Sequence, residues 1–225
     1  MTTELTLPEY DSKSLYPYTK TLSSSQFLLY EKDPPAFYIE YVLGVRRTQN
    51  VKMLAGSAFS YLYQFRDFPI TQFLVGKKVP SGSRLGGLFE RVIKQLPVTP
   101  AEVVQVCEFK GWRFRATLDG YVYDQLTIIE NKTGGATMAH PDGWTQERVN
   151  FDDQLTFQAW VHWHLVNVIP KRILLNWVDT RPSSKKALHQ FKTTRSTKNL
   201  QNFERRVEAV IAGIEAENWT KKVYA

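Results

Sequence analysis

The stretch LDGYVYDQLTIIENKTG, running from Leu118 to Gly134, decides the reading of this chain. From Leu126 to Lys132 it is apolar as far as Ile128-Ile129 and then charged, the pattern of a central strand that crosses a core and emerges at its end. Tyr123 to Gln125 supplies the turn that enters it, and Thr133-Gly134-Gly135 ends it. Alternate side chains of a strand share a face, so Glu130 and Lys132 project together. Asp119 ends the preceding strand, and a hairpin returning through Tyr123 brings it beside Glu130. Two carboxylates and an ammonium then converge at one sheet edge.

Moving outward, Val103 to Phe109 and Trp112 to Leu118 alternate as two strands joined by a tight turn at Lys110-Gly111. Downstream, a stretch read as loop extends to about Asn150, followed by a helix from Asp152 to Val166. Strands follow at Ile173 to Val178 and His189 to Thr193. A closing helix from Leu200 to Glu217 carries Phe203, Val207, Val210, Ile211 and Ile214 on one face. Residues 1–22 read as an extended arm. Ser23-Ser24-Ser25 starts a helix that breaks at Pro34-Pro35, and a second short helix through Phe37 and Val42 stops at Gly44. Further helices are expected at Lys52 to Phe65 and Leu85 to Gln95, with Gly76 to Gly87 as a loop between them. This order predicts an α/β fold, a mixed central sheet flanked by helices, with an N-terminal helical part. The division is one domain over 23–225, helical over about 23–97 and with its core over about 98–217.

Composition narrows the classes. In 225 residues no apolar run approaches the ~20 that a membrane helix needs. Met1 to Tyr18 lacks the apolar stretch of a signal peptide, so the expectation is a cytoplasmic protein without a membrane role. The single cysteine, Cys107, excludes an internal disulfide and any all-cysteine metal site. The net charge is +7, and the segment from Pro170 to Arg206 alone carries +8, from ten basic residues against Asp179 and Glu204. Lys185, Lys186 and Arg195 in that segment are the candidate DNA contacts; the competing reading is a solvated basic face. His162 and His164 lie two apart on a helix and point in different directions, so they read as structural. Trp160, Trp163 and Trp177 read as core, and no phosphate loop ending in Gly-Lys-Ser or Gly-Lys-Thr is present.

Carboxylate oxygens are suitable ligands for Mg²⁺, which keeps several waters and binds substrate phosphate. Asp119 and Glu130 are therefore candidate metal ligands, with Mn²⁺ as a substitute ion. Such an ion polarises a phosphate oxygen and activates a bound water. Lys132 can orient or help deprotonate that water and offset charge in the transition state. The alternative is a surface Glu–Lys pair at an exposed strand end, against which Ile128-Ile129 argues for burial.

Four stretches, in order, resemble the PD-(D/E)XK nucleases, in the RecB-like and CRISPR-adaptation-type branch related to lambda-type exonucleases. They are SSSQFLLYEKDPPAFYIEYVLG from Ser23, Gly56-Ser57-Ala58-Phe59, Asp119 with Glu130-Asn131-Lys132-Thr133-Gly134, and the helix from Gln154 to Trp160. The closing FKTTR from Phe191, with the helix after it, is also similar, so the resemblance covers residues 23 to about 217. It implies a restriction-endonuclease-like core, metal at Asp119 and Glu130, Lys132 acting on the attacking water, and Gln154 at the active site or DNA backbone. It further implies an exonuclease or end-processing enzyme of recombination or repair in a bacterial or phage-infected cytoplasm. A single-strand annealing protein or a helicase would be its kind of partner. A catalytically weak DNA-binding module and a structure-specific endonuclease are the alternatives. Two positions depart from the family. Ser60 stands where many relatives have a metal-binding histidine, with Glu90 and Glu102 as conceivable substitutes, and Gln158 stands where a tyrosine is usual. With one cysteine, the iron–sulfur cluster of some relatives cannot form.

Overall fold

The computed structural model describes residues 20–45, 51–66, 82–99, 102–135 and 142–220. Strand β1 (Thr21–Ser23) leads into α1 (Ser24–Lys32), so Thr21 and Leu22, read as arm, are part of a sheet. Ser23 caps α1 reciprocally: its hydroxyl accepts from the Gln26 amide while its own amide donates to Gln26 Oε1. Asp33 ends α1 and caps α2 (Pro34–Phe37), so the two prolines sit in a first turn where no amide proton is needed. A π-helical turn (Tyr38–Val42) follows, and Gly44 leaves it at a φ of 71°.

Helices α3 (Val51–Gln64) and α4 (Gly82–Ile93) complete the N-terminal helical part. Helix α4 begins earlier than expected, so the segment from Gly82 is helix rather than loop, and residues 67–81 lie outside the described ones. Strands β2 (Val103–Phe109) and β3 (Trp112–Leu118) have the bounds that their alternation predicted, and Trp112, Phe114, Ala116 and Leu118 form β3's buried face. Then come β4 (Gly120–Val122), β5 (Thr127–Gly134), α5 (Gln146–Phe151), α6 (Asp153–Val166), β6 (Arg172–Asp179), β7 (Leu188–Thr193) and α7 (Thr197–Glu215). Helix α5 occupies part of the segment read as loop. Six residues are too short to show a period, and what marks its start is Thr145, whose hydroxyl accepts from the Arg148 amide.

The architecture is mixed α/β with flanking helices, as predicted, but the strands form two hydrogen-bonded sheets instead of one. One has the order β1-β3-β2, with β1 parallel and β2 antiparallel to β3. The other has the order β4-β5-β6-β7, with β5 and β6 parallel at its centre and antiparallel strands outside them. The chain passes between the sheets at Asp119, the single residue separating β3 from β4.

An aromatic-rich core joins the sheets to α1, α6 and α7 through Phe27, Phe114, Phe157, Trp160 and Phe203. A second core gathers α3 and α4 on Val178 and Leu188. Trp160 and Trp177 are core residues as expected, and Trp163 is partly buried against the first core. His162 is buried between Gln105 and Tyr121, which fits the structural role read for it.

Candidate active site

Strand β5 is covered on both faces, and its alternation divides the site into two shelves. Glu130 and Lys132 point toward α6, with Lys132 Nζ donating to Glu130 Oε1 at 2.6 Å. Asn131 and Thr133 point the other way, toward α3, where a side chain at Gly56 would meet Thr133 Oγ1 at 3.4 Å. Glu130 is only 4% exposed, yet its carboxylate is well supplied with donors. Gln154 Nε2 donates to Oε1 at 2.8 Å, and Gln158 Nε2, one helical turn on, donates to Oε2 at 2.7 Å. Gln154 also accepts from Lys132 Nζ at 2.7 Å, closing a ring of three side chains. A buried carboxylate without such partners would be strongly destabilising.

Asp119 reaches the site because it lies where the chain crosses between sheets. Its Oδ2 accepts from the Asn131 amide at 2.6 Å, which fixes the carboxylate alongside β5. Burial, then the Glu130 charge, push the Asp119 carboxyl up to about 7, against the opposing pull of the Asn131 amide and Lys132. Burial disfavours the Lys132 ammonium, but the charge and hydrogen bond of Glu130 outweigh it and hold this lysine above its usual range. Asp119, Glu130, Lys132 and Gln154 thus come together, and Gln158 joins them.

Asp152, which carried no role in the sequence reading, also borders this group. It caps α6 by accepting from the Leu155 amide at 2.9 Å, and burial raises its carboxyl while the Lys132 charge opposes the rise. An acidic residue just before a helical period was the available signal. The register of β2 with β3 pairs Val103 with Leu118, which brings Glu102 next in line with Asp119, and the Glu102 charge acts on Asp119. Glu90 is exposed on α4. Ser60 faces a cavity of about 470 Å³ shared with Gly56, Asn131 and Lys132. A larger groove of about 1090 Å³ opens beside Lys132 and Gln154 and runs past Trp144, Arg148 and Phe151.

The basic segment divides. Lys185 and Lys186 are exposed in the connection between β6 and β7. Arg195, expected to face DNA, is 5% exposed and points inward. Its guanidinium donates to Thr156 and Thr193 hydroxyls and to the carbonyls of Val149, Asp152 and Thr194. All five donors are engaged, so Arg195 ties the junction of α5 and α6 to the end of β7 and thereby sets the start of the helix that carries Gln154. Arg206 is likewise committed, to Glu31 and Asp153.

The donor set can be compared with the metal it would hold. Among the described residues no group of three or more His, Cys, Asp or Glu is gathered as a metal site. Asp119 and Glu130 offer carboxylate oxygens, which suit a hard ion that keeps water and phosphate as its other ligands, the habit of Mg²⁺ and not of structural zinc, and the two nearby cavities are lined by Lys132, next on the same face of the strand.

No protein-family profile and no curated protein matches the sequence. Among solved structures, a provisionally assigned exonuclease from Eubacterium rectale superposes with a TM-score of 0.64 at 13% identity, over 96% of this chain and 85% of that one. An alkaline exonuclease from Laribacter hongkongensis, LHK-Exo, matches at 16% identity with a TM-score of 0.47, over 90% of this chain and 92% of its own. Its complex with dAMP matches at 14% identity with a TM-score of 0.48, covering 91% and 93%. The first of these superpositions establishes that this chain has the fold of the Eubacterium rectale protein.

Proposed function

We propose that this protein is a metal-dependent DNA nuclease of the PD-(D/E)XK type that hydrolyses phosphodiester bonds at DNA ends, in recombination or repair. The observation that carries the reading is the convergence of Asp119 and Glu130 with Lys132 and Gln154 at the β5–α6 interface. Mg²⁺ held by the two carboxylates would polarise a phosphate oxygen and lower the pKa of a bound water. Glu130 is held in place for that task by Gln154 and Gln158, and Asp119 by the Asn131 amide. Lys132, kept protonated beside Glu130, is suited to donate a hydrogen bond to the attacking water and to offset negative charge on the phosphate. Gln154 fixes the lysine head from the other side. The decisive assay incubates the purified protein with end-labelled linear and closed circular DNA, with Mg²⁺ or Mn²⁺ and with chelator. Cleavage of linear DNA alone, lost with chelator, is the expected result.

A second reading, a DNA-binding module without cleavage, draws on Ser60, which offers a hydroxyl where a further nitrogen ligand would strengthen metal binding. The same assay separates the two.

Metal affinity should depend on pH through Asp119. Its carboxyl, raised to about 7 in the folded protein, keeps its proton where the same group in the unfolded chain, near 3.8, has lost it. The folded state then binds more protons, so this group's contribution to stability falls as pH rises between those values in the metal-free protein. A divalent ion must displace that proton. Titration calorimetry in buffers of different ionisation heat should find close to one proton released per ion bound at about pH 6, and little at about pH 8. Binding that releases no proton at the lower pH would remove Asp119 from the ligand set.

DNA affinity should weaken steeply with salt. The double change Lys185→Ala with Lys186→Ala should lessen the slope of log affinity against log salt by roughly 1–2. An unchanged slope would make this connection an ordinary solvated face. Arg195→Ala should act differently, lowering the melting temperature through its lost buried hydrogen bonds and not through the salt slope.

A further inference from the structure

Phe151 is 79% exposed at the end of α5, where an aromatic ring gains nothing from packing. It borders two cavities at once: the groove beside Lys132 and Gln154, and a second cavity of about 680 Å³ reaching the start of β6 and the end of β7. That second cavity is lined by Lys171, Arg172 and Lys192 with Asn150 and Asn199, and no acidic residue takes part in its lining. These three cations, like Lys185 and Lys186, differ from the segment's committed arginines. Arg181 is bound to Asp179, Arg206 to Glu31 and Asp153, and Arg195 is buried, whereas Lys171, Arg172 and Lys192 are exposed.

We propose that this second cavity is a subsite for single-stranded DNA, in which an unstacked base lies on Phe151 and the adjoining phosphates meet Lys171, Arg172 and Lys192. Stacked bases inside a duplex cannot present a face to an aromatic ring, whereas every unpaired base can, and three unopposed cations match a run of phosphates. The amides of Asn150 and Asn199 add neutral hydrogen-bonding groups along the same wall. Since Phe151 also borders the groove at Lys132, a strand held here continues toward the proposed scissile position. The inference deepens the nuclease reading and rests on it for that continuity. The binding itself can be tested separately.

The test is fluorescence anisotropy of labelled (dT)12 with the full chain in chelator, where no cleavage intrudes. Phe151→Ala should weaken binding by about tenfold, and Phe151→Trp should restore it, in line with the loss of one base–aromatic stack. Changing Lys171, Arg172 and Lys192 together to alanine should reduce the salt slope by roughly 2. Melting temperatures close to wild type are expected, because all four side chains are exposed. Unaltered (dT)12 binding in both variants would overturn the subsite, and if the wild type still cleaves DNA the nuclease reading survives. A wild type that cleaves nothing while both variants lose affinity leaves the subsite standing and removes the nuclease. Tighter binding of poly-glutamate than of (dT)12, weakened by the same changes, would assign the cavity to an acidic protein partner and overturn the proposal.

Discussion

Glu130→Gln is expected to abolish Mg²⁺-dependent cleavage while the fold persists. The carboxylate is a proposed metal ligand, and an amide oxygen carries no charge to hold the ion. The several kcal/mol of charge stabilisation that a well-placed divalent ion supplies correspond to a rate loss on the order of 10³-fold. The fold should survive because the site can absorb an amide. Gln158 Oε1 is buried without a hydrogen-bond partner, and a rotated Gln158 amide would accept from the introduced –NH₂ group. The substitution also removes a buried negative charge facing Asp119, so the Asp119 carboxyl should move down toward its usual range. Cleavage rate and thermal unfolding in chelator check the two halves. A variant that cuts DNA at the wild-type rate would show that Glu130 is not a ligand.

Lys132→Ala should slow the chemical step by roughly 10²-fold or more while metal and DNA binding persist. The substitution removes the ammonium between Glu130 and Gln154 but leaves both carboxylates and the two glutamine amides in place. Single-turnover cleavage with enzyme in excess is the appropriate measurement, because product release cannot then mask the chemistry. A second readout is independent of activity. Without the lysine, Asp119 and Glu130 face each other with no internal cation, so the metal-free variant should be destabilised and should gain more melting temperature from Mg²⁺ than the wild type does. An equal gain in both proteins would mean that the ion does not sit between these carboxylates. A wild type inert toward linear, nicked and single-stranded DNA with either ion would replace the enzyme by the binding module.

The elements legible in the sequence were those whose signal is local. β3 alternates strictly and β2 more loosely, α7 repeats apolar residues at helical spacing, and Ser23 and Asp152 mark helix starts with hydroxyl and carboxylate caps. The elements misread have weak or short signals. Helix α5 has six residues, too few for a period, and α4 begins at glycine. The division into two sheets was hidden as well. Nothing in the order of strands states that the chain changes sheets at Asp119 instead of continuing one ladder.

The sequence by itself determined that Glu130 and Lys132 share a face, because a strand's side chains alternate whatever surrounds it, and that Gln154 and Gln158 share one, because a helix turns every 3.6 residues. Only the tertiary structure decided that these two faces meet, that Asp119 is held by the Asn131 amide, and that Arg195 is buried while Lys171, Arg172 and Lys192 line one cavity. The reason is physical. Periodicity is set by backbone geometry over a few residues, whereas the pairing of distant faces depends on which buried groups can satisfy one another once the chain has closed on itself. A charge count treats the cations of the basic segment alike, but a guanidinium with five internal acceptors within reach turns inward. A lysine at a strand end with no such acceptors stays in solvent.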